Sequence, residues 1–497
     1  MKSYLKLEEI FSTQNAIEGA MAVLHWDNAV MMPEGGADVR AEQLATLTTL
    51  SHDLLTSPQL TDYLQEAEQD TAVLTDWQKA NLKEMRRLWT HAACVDSRLL
   101  ADLSRATAKC EMVWRKARAA NDFRGFAPYL EKVLAIVQKI AKVKADYLGC
   151  SPYDALLDNY DPGRQSAEID VIFAKLSAFL PDFTTRVLER QHAAGAPLPL
   201  TGNFPVAQQK ELGIRIMQKL GFDFQHGRLD VSHHPFCGGV PGDVRITTRY
   251  YEHDFLPSLL GVIHETGHAL YEGHLPEEWR HQPVGKAQGM SIHESQSLIM
   301  EMQACRTPQF LSFLQPQIVE AFGVSGDAWQ ERNMVGSINR VKRSLIRVDA
   351  DEVTYPAHVM LRYRLEKAMI TDDLRIHDLP AAWNEGMQEL VGVTPDSDKN
   401  GCMQDIHWPG GDFGYFPTYT LGAINAAQLF AAAKKAQPSL LDSLAQGDFS
   451  LLNAWLTEHV HSKGSLYGSA NKLMIAATGK SLDVTDYIQH LQSRYLG

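Results

Sequence analysis

Along most of the first half of the chain, apolar residues recur at steps of three and four, the spacing that lines one face of an α-helix. Residues 126–149 carry the pattern well. Phe126, Leu130, Val133, Leu134, Val137, Ile140 and Leu148 form one stripe, and Gly149 sits where a helix C-terminus favours glycine. Comparable stripes predict helices over about 5–30, 38–68, 76–120, 166–194, 206–220, 308–323, 326–370 and 418–436, with a break at Asp161-Pro162-Gly163. Residues 243–251 have a different period. Val244, Ile246, Thr248 and Tyr250 alternate with Asp243, Arg245, Thr247 and Arg249, which predicts a half-buried strand; Gly238-Gly239 and Pro241-Gly242 before it read as turns. The chain has no fixed repeat, no low-complexity tract and no polar linker long enough to separate domains. The expected fold class is mainly α: a single large helical domain over residues 1–497, with one small β-sheet beside a cleft.

Composition narrows the partners. The 497 residues are 45% hydrophobic and 22% charged, enough apolar material for a large core. Lys+Arg 47 against Asp+Glu 60 gives a net charge of -13, which argues against nucleic acid or an anionic membrane surface as partner. The six cysteines are scattered and none forms a CxxC pair, which suits a reduced, cytoplasmic protein. The first residues lack the apolar run of a secretory signal, and nowhere do about 18 apolar residues follow one another. Neither secretion nor a transmembrane segment is expected.

The strongest chemical signal is His264-Glu265-Thr266-Gly267-His268. Residues four apart on a helix are separated by about 40° around the axis and about 6 Å along it, so both imidazoles can approach one metal ion. Glu265, one step round, can reach the ion's open side as a general base. Pro257 suits the first turn of such a helix, Leu259, Leu260, Ile263 and Leu270 give it an apolar side, and Gly273 with Pro276 provides a stop. Gly267 inside it costs about 1 kcal/mol relative to Ala, which is tolerable if another backbone comes close there. Chance does not account for the motif, since an H-[DE]-x-x-H match is expected about 0.09 times at this composition.

A hydrolytic zinc takes three protein ligands and leaves a fourth position to water, so a third ligand is needed. His274 lies ten residues after His264, the spacing of one zincin class, but that class needs Gly at position 271, where this chain has Tyr. Glu294, in His293-Glu294-Ser295-Gln296 on the next expected helix, is favoured. The other reading of His274 is a surface residue at a helix end. Cobalt or manganese would fit the same donors as zinc, at one divalent ion per chain.

Read in order, HPF at 234–236, DVRIT at 243–247, HETGH at 264–268, HESQ at 293–296, IRVDAD at 346–351 and GCMQDIHW at 401–408 resemble the signatures of the Taq carboxypeptidase family. Residues 25–40, HWDNAVMMPEGGADVR, resemble that family's opening segment, so the resemblance covers nearly the whole chain. It implies a mostly helical domain enclosing a deep substrate groove, a metal-binding core at about 230–420, and assembly as a homodimer. It also implies a metal-dependent carboxypeptidase of broad specificity, poor on a C-terminal proline. His264, His268 and Glu294 are then the metal ligands and Glu265 the base. Arg347 is the first choice for the substrate's terminal carboxylate, by resemblance, and Arg245 the second. His234 is expected to face the substrate, while Asp405 and His407 shape the far end of the groove.

Tyr415, Tyr419 and His407 lie in a glycine- and proline-rich stretch and are candidates either for oxyanion donors or for packing at a cleft wall. The strand at 243–251 could add backbone hydrogen bonds to an extended peptide, as an exposed sheet edge does. Two other readings remain. An oligopeptidase cutting within short peptides would use the same zinc and base, and a carboxylate-binding Arg separates it from an exopeptidase. A non-catalytic, metal-stabilised helical binding protein would have no use for Glu265.

Overall fold

Helices of up to 29 residues dominate the computed structural model, which describes residues 1–497, and one three-stranded sheet interrupts them. The mainly α class is therefore correct. No helix is long and apolar enough to cross a membrane. The stripe at 126–149 is one helix, Phe123–Leu148, capped by Gly149 at φ 68. Three longer stripes are broken. The 38–68 stripe stops at Ser57-Pro58, where the Ser57 side chain caps a new helix by accepting from the Leu60 amide. The 76–120 stripe breaks before Asp96, which caps the helix Ser97–Ala120. Most of 326–354 is not long helix: a short helix, Glu331–Ile338, precedes an irregular segment, and IRVDAD lies in that segment before the helix Tyr355–Ile370. The helices on both sides of the second break, Asp76–Ala93 and Ser97–Ala120, each bury an apolar face, whereas Ala37–Leu55 buries only Ser51.

The chain forms two compact units, each from three stretches of sequence. One comprises Met1–Ala92, Pro197–Asn339 and Asn425–Leu482; the other comprises Ala93–Ala196, Arg340–Ile424 and Asp483–Gly497. The metal-binding core expected at 230–420 contributes to both.

In the first unit the sheet has the order β1-β3-β2, with β1 Gly227–Val231, β2 Phe236–Val240 and β3 Asp243–Thr248. β1 runs parallel to β3, and β2 antiparallel. Val240 pairs with Asp243, so Pro241-Gly242 is the two-residue turn, with Gly242 at φ 93. Two expectations change here. Gly238-Gly239 belongs to β2 and is not a turn. β3 is the central strand, bonded on both sides, so its backbone is not free to receive a peptide. Val244 and Ile246 are buried with Met217, Leu229, Val262 and Ala269. Val244 and Ile246 each contribute about 1.5–3 kcal/mol on burial. This packing fastens the sheet to the helix Leu256–Gly273, on which HETGH lies.

Candidate metal centre

The helix Leu256–Gly273 begins with Pro257 in its first turn and ends one residue before His274, as its sequence predicts. The next helix, Gly289–Leu298, carries HESQ and runs directly into a π-helical turn at Ile299–Ala304. The two helices cross at Gly267. A Cβ there would stand 2.4 Å from Gln296 O and 2.6 Å from Ser297 Cα, so only glycine lets the backbones meet. Tyr271 and Asn425 fix the start of the second helix, by accepting from the Gln288 amide at 2.9 Å and donating to Ser291 O at 3.2 Å respectively.

This crossing brings His264, His268 and Glu294 together, with one donor atom of each lying within 4.8 Å of the others. His264 Nε2 and His268 Nε2 are 3.8 Å and 3.4 Å from Glu294 Oε2. Both Nδ1 atoms turn away to other partners. His264 Nδ1 is 3.0 Å from Glu301 Oε2 on the π turn, and Arg306 pairs with the other oxygen of Glu301 at 2.5 Å. His268 Nδ1 is 2.7 Å from His293 Nδ1. Each imidazole thus offers only Nε2 to the centre, the arrangement a metal-ligating histidine requires.

The electrostatics fit a cation. Burial opposes charge on His264, but Glu294, Glu301 and Glu265 outweigh it and push it up to about 10. Burial likewise opposes ionisation of Glu294 and Glu301, yet the histidines, and Arg306 beside Glu301, hold both below the ordinary glutamate range. His268 goes the other way, down to about 4, chiefly through burial. A nest of carboxylates around two imidazoles is short of positive charge, and a divalent ion supplies it. Burial raises Glu265 to about 7, with the Cys237 backbone amide on edge strand β2 bonded to it.

His274 is not part of this set: the converging donors are those of His264, His268 and Glu294, and His274 sits at the helix end with its Nδ1 on Leu270 O at 2.7 Å. His234 is exposed in the loop between β1 and β2 and stacks edge-on with His233. The fork of Arg245 is taken by Asp243, at 2.9 and 2.6 Å, and its guanidinium lies 4.4 Å from the Trp26 ring.

In the second unit, Arg347 is buried. Its Nε and Nη2 reach Asp405 Oδ1 at 3.1 and 2.9 Å, and its Nη1 reaches the Tyr355 hydroxyl at 2.8 Å. Arg362 Nε holds the other oxygen of Asp405 at 2.7 Å. Two guanidiniums therefore share one carboxylate; against the cost of burial they hold Asp405 far below the usual range. The rings of Tyr419, Phe416 and Tyr355 stand 5.2, 5.4 and 5.8 Å from the Arg347 guanidinium. Burial and Arg347 lower His407 to about 4, so it is neutral at pH 7, with Nε2 3.5 Å from the Tyr419 hydroxyl. Tyr415 packs edge-on against Tyr160 and Tyr419. Glu366 anchors this stretch by accepting from Trp408 Nε1, the Tyr153 hydroxyl and the Gly414 amide.

Sequence reading missed Glu272, Glu301, Arg306, Arg362 and Asp405 as partners of these groups. Two of them left a signal: Glu272 follows His268 by four residues, and Glu301 follows Glu294 by seven, about two helical turns.

The model of the carboxypeptidase Taq (M32) metallopeptidase family matches residues 6–495. Thermostable carboxypeptidase 1 of Thermus thermophilus is 37% identical over 491 residues, 96% of this chain and 94% of that protein. Carboxypeptidase 1 of Bacillus subtilis is 37% identical over 494 residues, with the same coverage. Among solved structures, metallocarboxypeptidase 1 of Trypanosoma cruzi superposes with a TM-score of 0.98 at 40% identity, covering all of both chains.

Proposed function

The chain belongs to the carboxypeptidase Taq (M32) family of metallopeptidases and is a metal-dependent carboxypeptidase acting on peptides, and from that premise we propose how its residues divide the work. The carrying observation is the convergence of His264 Nε2, His268 Nε2 and Glu294 Oε2, with both Nδ1 atoms engaged elsewhere. We assign these three as ligands of one divalent ion per chain. The mixed nitrogen and oxygen donor set favours zinc, with cobalt or manganese as substitutes. When bound, the ion supplies Lewis acidity, activating water and polarising the scissile carbonyl.

Glu265 is the general base. Buried next to His264, its carboxylate can take the proton of the attacking water and hand it to the leaving amine. The Cys237 amide keeps it aimed. Arg347 is the anchor for the substrate's α-carboxylate. Asp405 balances only one of the two guanidiniums beside it, so the cluster has one cation to spare behind an aromatic wall. Tyr419, Tyr415 and neutral His407 are hydrogen-bond donors to the peptide or the oxyanion, and His234 is a further substrate contact. Arg245 is the second candidate, because Asp243 pairs with it one to one, without the spare cation of the Arg347–Arg362–Asp405 cluster.

Residues 1–497 act as one peptidase, a reading supported by a family match that spans 6–495. Specificity is broad but poor on a C-terminal proline, whose scissile bond is a tertiary amide held by a rigid ring. The family resemblance supports a homodimer, and six unpaired cysteines support a reducing, cytoplasmic setting.

The test is mass spectrometry of one peptide, offered as the free acid and as the amide, with zinc-loaded protein. Residues should leave one at a time from the C-terminus of the acid, while the amide is poor. Arg347→Ala should cost about 10–200-fold in kcat/KM on the acid and far less on the amide, from the loss of a charge-assisted contact of about 1.5–3 kcal/mol. Equal cleavage of both at an internal bond would instead establish an oligopeptidase.

A further inference from the structure

The two histidines of HETGH are backed by different groups. His264 meets a carboxylate directly, Glu301. Behind His268 an imidazole has been inserted: His268 Nδ1 to His293 Nδ1 is 2.7 Å, and His293 Nε2 to Glu272 Oε1 is 2.8 Å. Glu272 lies one turn beyond His268 on the same helix, whereas His293 comes from the helix that carries Glu294.

Proton bookkeeping allows one arrangement with the metal in place. A histidine that ligates through Nε2 carries its proton on Nδ1. His268 therefore donates to His293 Nδ1, which must be bare, and His293 must carry its proton on Nε2 and donate it to Glu272. Every proton in the chain then points away from the ion. Beyond Glu272 and His293 lies a cavity of about 130 Å³ whose other walls are Cys237, Gly238, Gly239, Val240 and Val244. It has room for water, so the Glu272 carboxylate is not stranded without hydration.

We propose that His293 and Glu272 are positioning residues of the metal centre. Together they select Nε2 of His268 as its ligating atom and tie that ligand to the helix presenting Glu294. The inference rests on the metal assignment above. It requires residue 293 both to accept and to donate, a demand that packing alone would not make.

Zinc affinity, measured by competition with a chromogenic chelator, and the visible spectrum of the cobalt-loaded protein separate these roles. His293→Phe keeps the ring volume but cannot accept. It should bind zinc about 10–100-fold more weakly and change the cobalt spectrum. His293→Gln can accept through Oε1 and donate through Nε2, and should stay within about threefold of native, below the usual loss when such a partner is removed. Glu272→Leu leaves His293 without its acceptor and should weaken zinc in the same direction but by less. Glu272 is partly exposed, so this variant keeps the test valid if His293→Phe does not fold. Native affinity in both His293→Phe and Glu272→Leu overturns the relay, as does an equal loss in His293→Gln and His293→Phe. A native protein that holds no ion overturns the metal assignment itself, an outcome distinct from either.

Discussion

Replacing Gly267 by alanine tests whether the helix crossing sets the metal site. Taken alone, the change should stabilise a helix interior by about 1 kcal/mol. Its surroundings reverse the sign. The new methyl would lie 2.4 Å from Gln296 O, 2.6 Å from Ser297 Cα and 2.9 Å from Gln296 C, all backbone atoms that cannot rotate aside. Ordinary contact begins near 3.4 Å, so the crossing must open by about 1 Å. Overpacking of this kind costs about 1–3 kcal/mol, and immovable neighbours place it toward the upper end, for a net loss of about 1–2 kcal/mol.

The functional cost is larger in proportion, because opening the crossing moves Glu294 away from His264 and His268. A misplacement of about 1 Å at a reacting centre costs on the order of 10²-fold in rate. Gly261, in the same helix, is the internal control, since nothing stands within 4 Å of a Cβ built there. Gly261→Ala should gain up to about 1 kcal/mol. Urea unfolding of the metal-free proteins, zinc competition and kcat/KM should be measured for both variants. If Gly267→Ala is stabilised like Gly261→Ala and binds zinc like the native protein, the crossing does not govern the site.

Three further outcomes are expected. Glu294→Ala should lose metal and activity together, whereas His274→Ala, which loses a bond to Leu270 O and a ring contact with His461, should keep both; metal analysis of the purified variants decides. Glu265→Gln should retain the ion yet lose about 10²–10⁴-fold in kcat, since an amide cannot take the water proton. Burial raises Glu366 from 4.5 to about 7, so between those values the folded protein holds a proton that the unfolded chain has released. Stability should therefore fall as pH rises through that window, by up to about 3 kcal/mol from this group, and Glu366→Gln should remove that slope. Urea midpoints of both proteins at pH 5 and pH 8 check the sign, and parallel shifts would show that Glu366 does not titrate there.

What lies within a few residues along the chain could be read from the residues alone. The i, i+4 pair of His264 and His268, Pro257 at the helix start, Gly149 at a helix end and the alternation in 243–248 were legible because helix and strand periods span two to four positions. Even Gly267 announced a close neighbour, through its cost in a helix, without saying which. Tertiary structure alone decided the partners. Gln296 at the crossing, Glu301 behind His264, Trp26 under Arg245 and Asp405 on Arg347 are 29, 37, 219 and 58 residues from the groups they meet. The same holds for β3, whose alternation marked a strand but could not say that strands on both sides would bury its edges. Periodicity records which face of an element avoids water, and that face is the same whichever element covers it; the choice among possible covers is made by shape and charge across the assembled core.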